Sequence, residues 1–354
     1  MLKKTIIIII SLILFASSWA STKNNSSGQL FTTSKCFDLI ASLQYFDKIK
    51  DEPPFKHLSS DSIFLKDLDF INNNVPASKL CNFYATFHGN KSDIDSCIYF
   101  FDTITHNDTA VHSDAEWIKN IISLQPQLYN CLNAIKNAGF SDYWDNTIKP
   151  QLDKYIKAYP VSADVLNSIH SEMTEFSGPE DLSETHSNTY VLNIDNAFNL
   201  SDESFCCTPL LLDTEMEKKF RLDFLKVYTH ENLHRLKISE KLIQKLEDLK
   251  ADEFYKMNEE IASGHREGLN EAFVVAAEVY ISHKIGRRDK ASVYTEFKEY
   301  VDGSLVLAPI IYVHLNEKRK DETLNDFILR LFDSGIISVG SVKKEYEEAM
   351  RLLQ

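Results

Sequence analysis

The chain has 354 residues, of which 44% are hydrophobic, and its formal net charge is -14 at pH 7. This length and composition can bury a sizeable core, arranged as one large domain or two moderate ones. Because nucleic acids and anionic membranes repel so acidic a surface, the charge argues against both as partners.

The start of the chain has the pattern of a secretory signal peptide. Lys3 and Lys4 precede an apolar run over residues 5–15, and Ala20 ends a small-residue cleavage site. We expect cleavage after Ala20, a disordered polar leader over residues 21–29, and a mature protein that is secreted or periplasmic. No later run is long and apolar enough to cross a bilayer, so no membrane insertion is predicted.

Residues 30–176 are predicted to form a helical N-terminal region. Apolar side chains recur at helical spacing, with an interruption at Pro53 and Pro54. The histidines of this half lack a partner at metal-ligand spacing, and we interpret them as surface or ordinary core residues. They are His57, His88, His106 and His112. The region is expected to form a wall against which the rest of the chain closes.

Six cysteines remain after export, and most of them lie in the first half of the chain. They are Cys36, Cys81, Cys97, Cys131, Cys206 and Cys207. An even number in an oxidising compartment predicts disulfides, with at least one bridge in the N-terminal half. The alternative is a set of buried free thiols. None of the spacings is typical of a cysteine zinc site.

Residues 177–354 form the second predicted region, which begins with a small antiparallel sheet. Residues 189–196 alternate between apolar and polar side chains, and residues 205–212 are a second extended candidate in which Pro209 favours an edge position. An edge strand beside a metal site can pair with a substrate backbone, as it does in many zinc peptidases. A purely structural hairpin is the other interpretation, and the sequence leaves both open.

The segment from Glu215 to Leu236 is predicted to be one amphipathic helix that carries a metal-binding motif. Its apolar residues recur at steps of three and four, and no glycine or proline interrupts it. His230 and His234 are four residues apart and project from the same helix face, while Glu231 can reach a water on the same metal. This is the HExxH pattern of zinc hydrolases. The alternative is a solvated helix end with two surface histidines.

A catalytic zinc normally has three protein ligands, so a third ligand is required further along the chain. A charged helix is predicted over residues 239–260, followed by an apolar helix over residues 266–281 that contains Glu267 and Glu271. A carboxylate in so apolar a helix is costly to bury unless a positive charge pairs with it. We favour Glu271 as the ligand, with Glu267 as the fallback or as a partner of a ligating histidine. The alternative for Glu271 is a surface carboxylate.

The segments THENLH and LNEAFVVAAE resemble the gluzincin clan of metallopeptidases, in which thermolysin-like enzymes carry HExxH and then an Asn-Glu helix. Within the clan, the chain is most similar to bacterial peptidase-like proteins of the uncharacterised DUF4932 type. The resemblance spans roughly residues 185–315 and implies a zincin-like fold with Zn²⁺ held by His230, His234 and Glu271. The interval between His234 and Glu271 is longer than in thermolysin. Val275 stands where the DUF4932-type proteins carry an arginine, and where thermolysin-like enzymes carry a second carboxylate.

The combined prediction is a secreted, mainly α (α+β) protein with a zincin-like metallopeptidase fold. It would hydrolyse peptide or protein substrates by a metal-activated water, with Glu231 as general base. The developing oxyanion also requires a donor, and the candidates are Tyr300, Tyr312 and His314. One alternative is a non-catalytic zincin-fold protein that binds a host or envelope partner, although the intact Glu231 argues against it. Another is a hydrolase of non-peptide amides or esters.

Overall fold

The computed structural model of the chain describes residues 30–88, 93–105, 116–159, 163–177, 188–201, 204–213, 224–265 and 267–354. The predicted signal peptide and leader lie outside the described residues, and so do His106, His112 and residues 215–223 of the predicted motif helix. In the described part of the chain, no helix is long and apolar enough to cross a membrane.

The N-terminal region is helical, which confirms that part of the prediction. Its helices are α1 (Lys35–Ala41), α2 (Ser62–Asn74), α3 (Ala77–Phe87), α4 (Ile94–Thr103), α5 (Glu116–Ser123), α6 (Gln125–Asn137), α7 (Phe140–Tyr143), α8 (Lys149–Ala158) and α9 (Ala163–Ser177). Helix boundaries follow from local capping. The Asp61 side chain, for example, accepts hydrogen bonds from the amides of Ile63 and Phe64 and so begins α2.

Four short strands in the described residues form one mixed sheet. They are β1 (Phe31–Thr32), β2 (Asn188–Val191), β3 (Ala197–Ser201) and β4 (Ser204–Cys207), in the spatial order β1-β2-β4-β3. Strand β2 is parallel to both β1 and β4, and only β3 and β4 are antiparallel. The prediction of an antiparallel sheet is therefore wrong for the two pairings of β2. Strand β3 lies at the edge of the sheet. Strand β4, which follows it in the chain, lies between β3 and β2 and runs parallel to β2.

The second predicted strand, over residues 205–212, is shorter than expected. Strand β4 ends at Cys207, and a 3₁₀ turn, Pro209–Leu212, follows it. The hydroxyl of Thr208 accepts a hydrogen bond from the amide of Leu210 and caps this turn. Proline has no amide hydrogen for a strand ladder, so its position explains the change from strand to turn.

The C-terminal region is again helical. Its helices are α10 (Phe224–Leu233), α11 (Glu240–Leu249), α12 (Glu253–Gly264), α13 (Glu271–Lys284), α14 (Lys290–Glu299), α15 (Leu307–His314), α16 (Leu324–Asp333) and α17 (Val342–Leu353). The single helix predicted over residues 239–260 is instead two helices, α11 and α12. Asp252 lies between them, and its side chain accepts hydrogen bonds from the amides of Tyr255 (2.9 Å) and Gly340 (2.7 Å). It thereby begins α12 and fixes the break.

One hydrophobic core runs through both predicted regions. Phe31 of β1 packs edge-on against Phe224 of α10, with 4.8 Å between the ring centroids. The Asn82 side chain of α3 donates a hydrogen bond to the carbonyl of Leu200 in β3, at 2.8 Å. Strand β1 therefore supports α10, the helix that carries the motif, and α3 supports β3.

All six cysteines are buried and free in the structure. The side chains of Cys36 and Cys97 are in hydrogen-bonding contact, and the disulfide in the N-terminal half stays a prediction. The cysteines pack as small apolar residues. The thiols of Cys81 and Cys131 lie 3.9 Å and 3.8 Å from the carbonyls of Phe37 and Phe64, which are weak contacts. Burial raises the pKa of the Cys131 thiol to about 12, so this group stays protonated at neutral pH.

Asp38 of α1 is a buried carboxylate that links distant parts of the chain. Its oxygens accept hydrogen bonds from the Trp144 indole (2.7 Å) and from the Asn193 amide (2.6 Å), just after β2. Burial raises the pKa of Asp38 to about 7, and these two donors oppose the rise. The folded protein therefore keeps a proton that the unfolded chain loses above about pH 4, so the stability falls as the pH rises from about 4 to about 7.

Replacing Asp38 by asparagine is expected to remove this pH-dependent loss of stability. The difference in free energy of unfolding between Asp38→Asn and wild type should increase by about 1.4 kcal/mol for each pH unit between about pH 5 and about pH 7. Urea denaturation at several pH values measures the difference. Asp69→Asn, which changes an exposed aspartate of α2, should give a profile parallel to that of wild type. A parallel profile for Asp38→Asn would contradict the expectation.

Candidate metal centre

Helix α10 presents the two motif histidines on one face. Its described part begins at Phe224 and ends at Leu233, three residues before the predicted end, and the opposite face is buried. His234 still belongs to the last turn, because its amide donates to the carbonyl of His230 at 3.2 Å. The spacing of four residues therefore brings the two imidazoles together as predicted.

His230, His234 and Glu271 form a group that could hold a metal ion. The Nε2 atoms of the two histidines are 3.0 Å apart. The Glu271 oxygens Oε1 and Oε2 lie 3.4 Å and 3.3 Å from Nε2 of His230 and of His234. Ligand atoms about 2.0–2.2 Å from a tetrahedral zinc ion are about 3.3 Å apart, so these separations fit one shared ion.

The structure brings Glu271, rather than Glu267, to the histidines. Glu271 is the first residue of α13 and only 1% exposed, and α13 packs against α10. Glu267 lies in the turn before α13, so the two carboxylates are not stacked on one helix face as predicted. Burial raises the pKa of Glu271 to about 7, and repulsion from Glu267 adds to the rise. A buried carboxylate of this kind is stabilised by a nearby cation.

The two histidines are held in the neutral form that a metal requires. Burial lowers the pKa of His230 to about 3, and the neighbouring His234 and Lys226 act in the same direction. Burial also lowers the pKa of His234. The Asn270 amide lies 3.4 Å from Nδ1 of His234, on the side of the ring that faces away from the group. At neutral pH both Nε2 atoms can therefore offer a lone pair.

Glu231 is fixed beside the group by a residue that sequence reasoning missed. The Asn199 side-chain amide donates hydrogen bonds to the Glu231 carbonyl (3.1 Å) and to its carboxylate Oε2 (3.0 Å). Asn199 belongs to β3, an edge strand of the sheet. The alternation of Ala197–Ser201 is the only sequence signal for this strand. Burial raises the pKa of Glu231 to about 8, and repulsion from Glu271 and then Glu267 contributes.

Of the predicted oxyanion donors, only Tyr300 reaches the group. Its hydroxyl donates to Glu271 Oε1 at 2.9 Å. The Tyr312 hydroxyl instead contacts Nδ1 of His283 at 2.6 Å, and Nδ1 of His314 pairs with Glu317 at 2.8 Å. Tyr312 and His314 lie in α15 and are engaged elsewhere, so their assignment to the site is not supported.

Tyr300 is carried by a strained turn. Val301 and Asp302 have φ angles of 50° and 55°, and Gly303 follows with a φ of 70°. A Cβ atom at Gly303 would lie 2.8 Å from the Lys298 carbonyl oxygen, which explains the glycine. Asp302 is paired with His265 at the end of α12, at 2.9 Å. Backbone strain of this kind costs roughly 1–3 kcal/mol per residue and persists only where the surroundings enforce it.

A buried network of charges connects the helices behind the metal group. Lys226 of α10 pairs with Glu296 of α14 at 2.6 Å. Arg288 binds the same glutamate at 3.0 Å and also Glu278 of α13 at 3.0 Å. Glu278 and the Arg288 side chain are 1% and 8% exposed. The network ties the helix of the two histidines to the helix of Glu271.

No known family, curated protein or solved structure matches the chain. The gluzincin resemblance therefore stays a prediction, and the functional argument depends on the geometry of the three candidate ligands, Glu231 and their neighbours.

Proposed function

We propose that this protein is a secreted or periplasmic zinc-dependent metallopeptidase. The observation that carries the proposal is the convergence of His230, His234 and Glu271 at the spacing of a tetrahedral zinc site, with Glu231 held beside them. Two imidazoles and one carboxylate are a typical donor set for catalytic zinc. Three protein ligands also leave one position for water or substrate.

Zinc in such a site makes water a stronger acid and a carbonyl group more electrophilic. The remaining work falls to the side chains. Glu231 accepts the proton of the attacking water and returns it to the leaving amine, the role of a general base and then of a general acid. Asn199 holds this carboxylate in place, and Tyr300 orients Glu271 through its hydrogen bond.

The partner in this proposal is a peptide or protein substrate. The edge strand β3 lies beside Glu231, and an exposed strand edge can bind an extended peptide through backbone hydrogen bonds. A non-catalytic protein that only binds a host or envelope partner would have no use for a carboxylate held by Asn199 next to the histidines. The acidic chain remains unsuited to nucleic acid.

The test is metal content together with peptide cleavage by the purified protein, expressed from the full-length sequence. We expect about one zinc per chain, cleavage of a mixed peptide library, loss of cleavage after chelation, and recovery when zinc is restored. Zinc with cleavage of esters or simple amides alone would replace the peptide substrate by another carbonyl compound. A chain that takes up no zinc overturns the proposal.

The hydrogen bond from Asn199 gives a separate prediction. In Asn199→Ala, the Glu231 carboxylate loses its fixed position, and kcat should fall about 10- to 100-fold with little change in KM or in zinc content. Steady-state kinetics with one cleaved peptide measures both constants. The control is Asn82→Ala, which removes a hydrogen bond to the same strand at Leu200 without touching Glu231. Equal losses in the two variants would assign Asn199 a purely structural role.

A further inference from the structure

A cleft lies beside the start of α13, the helix that carries Glu271. Its lining residues come from α12, from the start of α13 and from residues 304–307. Its empty volume is about 510 Å³, including the part open to solvent. The cleft is thus large enough to admit a side chain and is accessible from outside.

The cleft adjoins the backbone of Glu271. Ala272, which lines the cleft, directly follows Glu271, and the Glu271 amide donates to the carbonyl of Gly268, a second lining residue, at 3.1 Å. Glu267 also lines the cleft, and its charge contributes to the raised pKa of both Glu231 and Glu271. A peptide whose carbonyl lies at the metal group can therefore place a neighbouring side chain in the cleft.

The walls of the cleft combine apolar surface with negative charge. Leu305, Val306 and Leu307 supply apolar surface, whereas Glu259 and Glu267 supply carboxylates. No lysine, arginine or histidine lines the cleft among the described residues. A long aliphatic stem with a cationic end matches both properties.

The two carboxylates differ in their partners. Glu259 pairs with Lys250 at 3.5 Å. Glu267 forms no ion pair with another described residue, and His265, the nearby cation candidate, is paired with Asp302. Burial raises the pKa of Glu267, and His265 partly opposes this effect. A substrate cation would give Glu267 the counter-charge that the described chain does not supply.

We propose that this cleft is a specificity subsite that receives a lysine or arginine side chain next to the scissile bond, with Glu267 as the residue that binds its cation. The inference rests on the proposed peptidase function and adds the substrate class. Glu267 then acts in substrate selection and does not bind the metal. The net charge of -14 favours approach of basic peptides from a distance.

The test uses matched peptides that differ at one position, which carries lysine, norleucine or glutamate. In wild type we expect kcat/KM for the lysine peptide to exceed that for the norleucine peptide by about tenfold or more, with the glutamate peptide lowest. In Glu267→Gln, the lysine advantage should be lost while norleucine cleavage is retained, which also shows that the variant is folded. Glu260→Gln, an exposed carboxylate of α12, should keep the wild-type preference.

A binding assay separates this inference from the proposed catalysis. Fluorescence anisotropy with labelled peptides on zinc-loaded Glu231→Gln should show tighter binding of the lysine peptide, and the added change Glu267→Gln should remove the difference. Cleavage or binding without a basic preference overturns the subsite and leaves the peptidase. Preferential binding of the lysine peptide by a protein that cleaves nothing supports the subsite and overturns the peptidase. Absence of binding by every peptide overturns the subsite.

Discussion

Glu231→Gln is expected to lower kcat for peptide cleavage by about 10²- to 10⁴-fold, the range attributed to a general base. Glutamine can still accept a hydrogen bond from Asn199, but it cannot take a proton from water. The metal ligands are untouched, so the zinc content should stay at the wild-type value. Steady-state kinetics and metal analysis on the same preparations measure both quantities.

The control for this experiment is Glu240→Gln, which changes an exposed carboxylate at the start of α11. It should leave both kcat and zinc content unchanged. A Glu231→Gln protein that retains zinc and cleaves at the wild-type rate would exclude Glu231 as the base. A protein that loses both zinc and activity would point to a disturbed metal group, and Glu231→Asp would then show whether a carboxylate alone restores them.

Arg288→Met is expected to destabilise the protein by about 3–5 kcal/mol, the usual cost of removing one partner of a buried ion pair. The change leaves Glu278, which is 1% exposed, without the cation that it binds at 3.0 Å. It also removes one of the two cations on Glu296. Urea denaturation of the metal-free protein measures the loss. Adding Glu278→Gln should restore part of it, because the uncompensated buried charge is then gone.

Arg351→Met provides the matched control, since Arg351 pairs with Glu348 on the exposed surface of α17. Its effect should be below about 1 kcal/mol. Similar small losses for Arg288→Met would show that the buried network adds little to stability. Because the network joins α10 to α13, we also expect weaker zinc binding in Arg288→Met, measurable by competition with a chelator.

The sequence predicts the local part of the candidate site well. His230 and His234 meet because helical spacing alone determines their relation. The apolar context of Glu271 indicates a buried carboxylate, and Glu271 is indeed the one that joins them. Its place at the very start of α13 was not predicted, because a single glycine such as Gly268 can also be tolerated inside a helix.

The non-local part of the site could not be predicted. Asn199 and Tyr300 reach their partners across 32 and 29 residues of chain. Nothing in the local pattern of either residue reveals such a contact. The choice of Tyr300 over Tyr312 depends on a turn with positive φ values at Val301 and Asp302, which sequence rules disfavour.

The sheet shows the same limit. Hydrophobic alternation found β2, and an extended apolar run found β4, but neither signal gives the direction of pairing. Strand β1 has two residues and pairs with a strand more than 150 positions away, so its period-two pattern is too short to detect. The cysteine count predicted disulfides from compartment chemistry, whereas the packing of the helices decides which thiols can meet.

The contact between Phe31 and Phe224 makes the start of the described chain part of the support of the motif helix. Here, excision beyond Phe31 would remove the ring that covers Phe224 and the strand that pairs with β2, and so would loosen the helix of His230. Cleavage after Phe31 is therefore expected to weaken metal binding at His230.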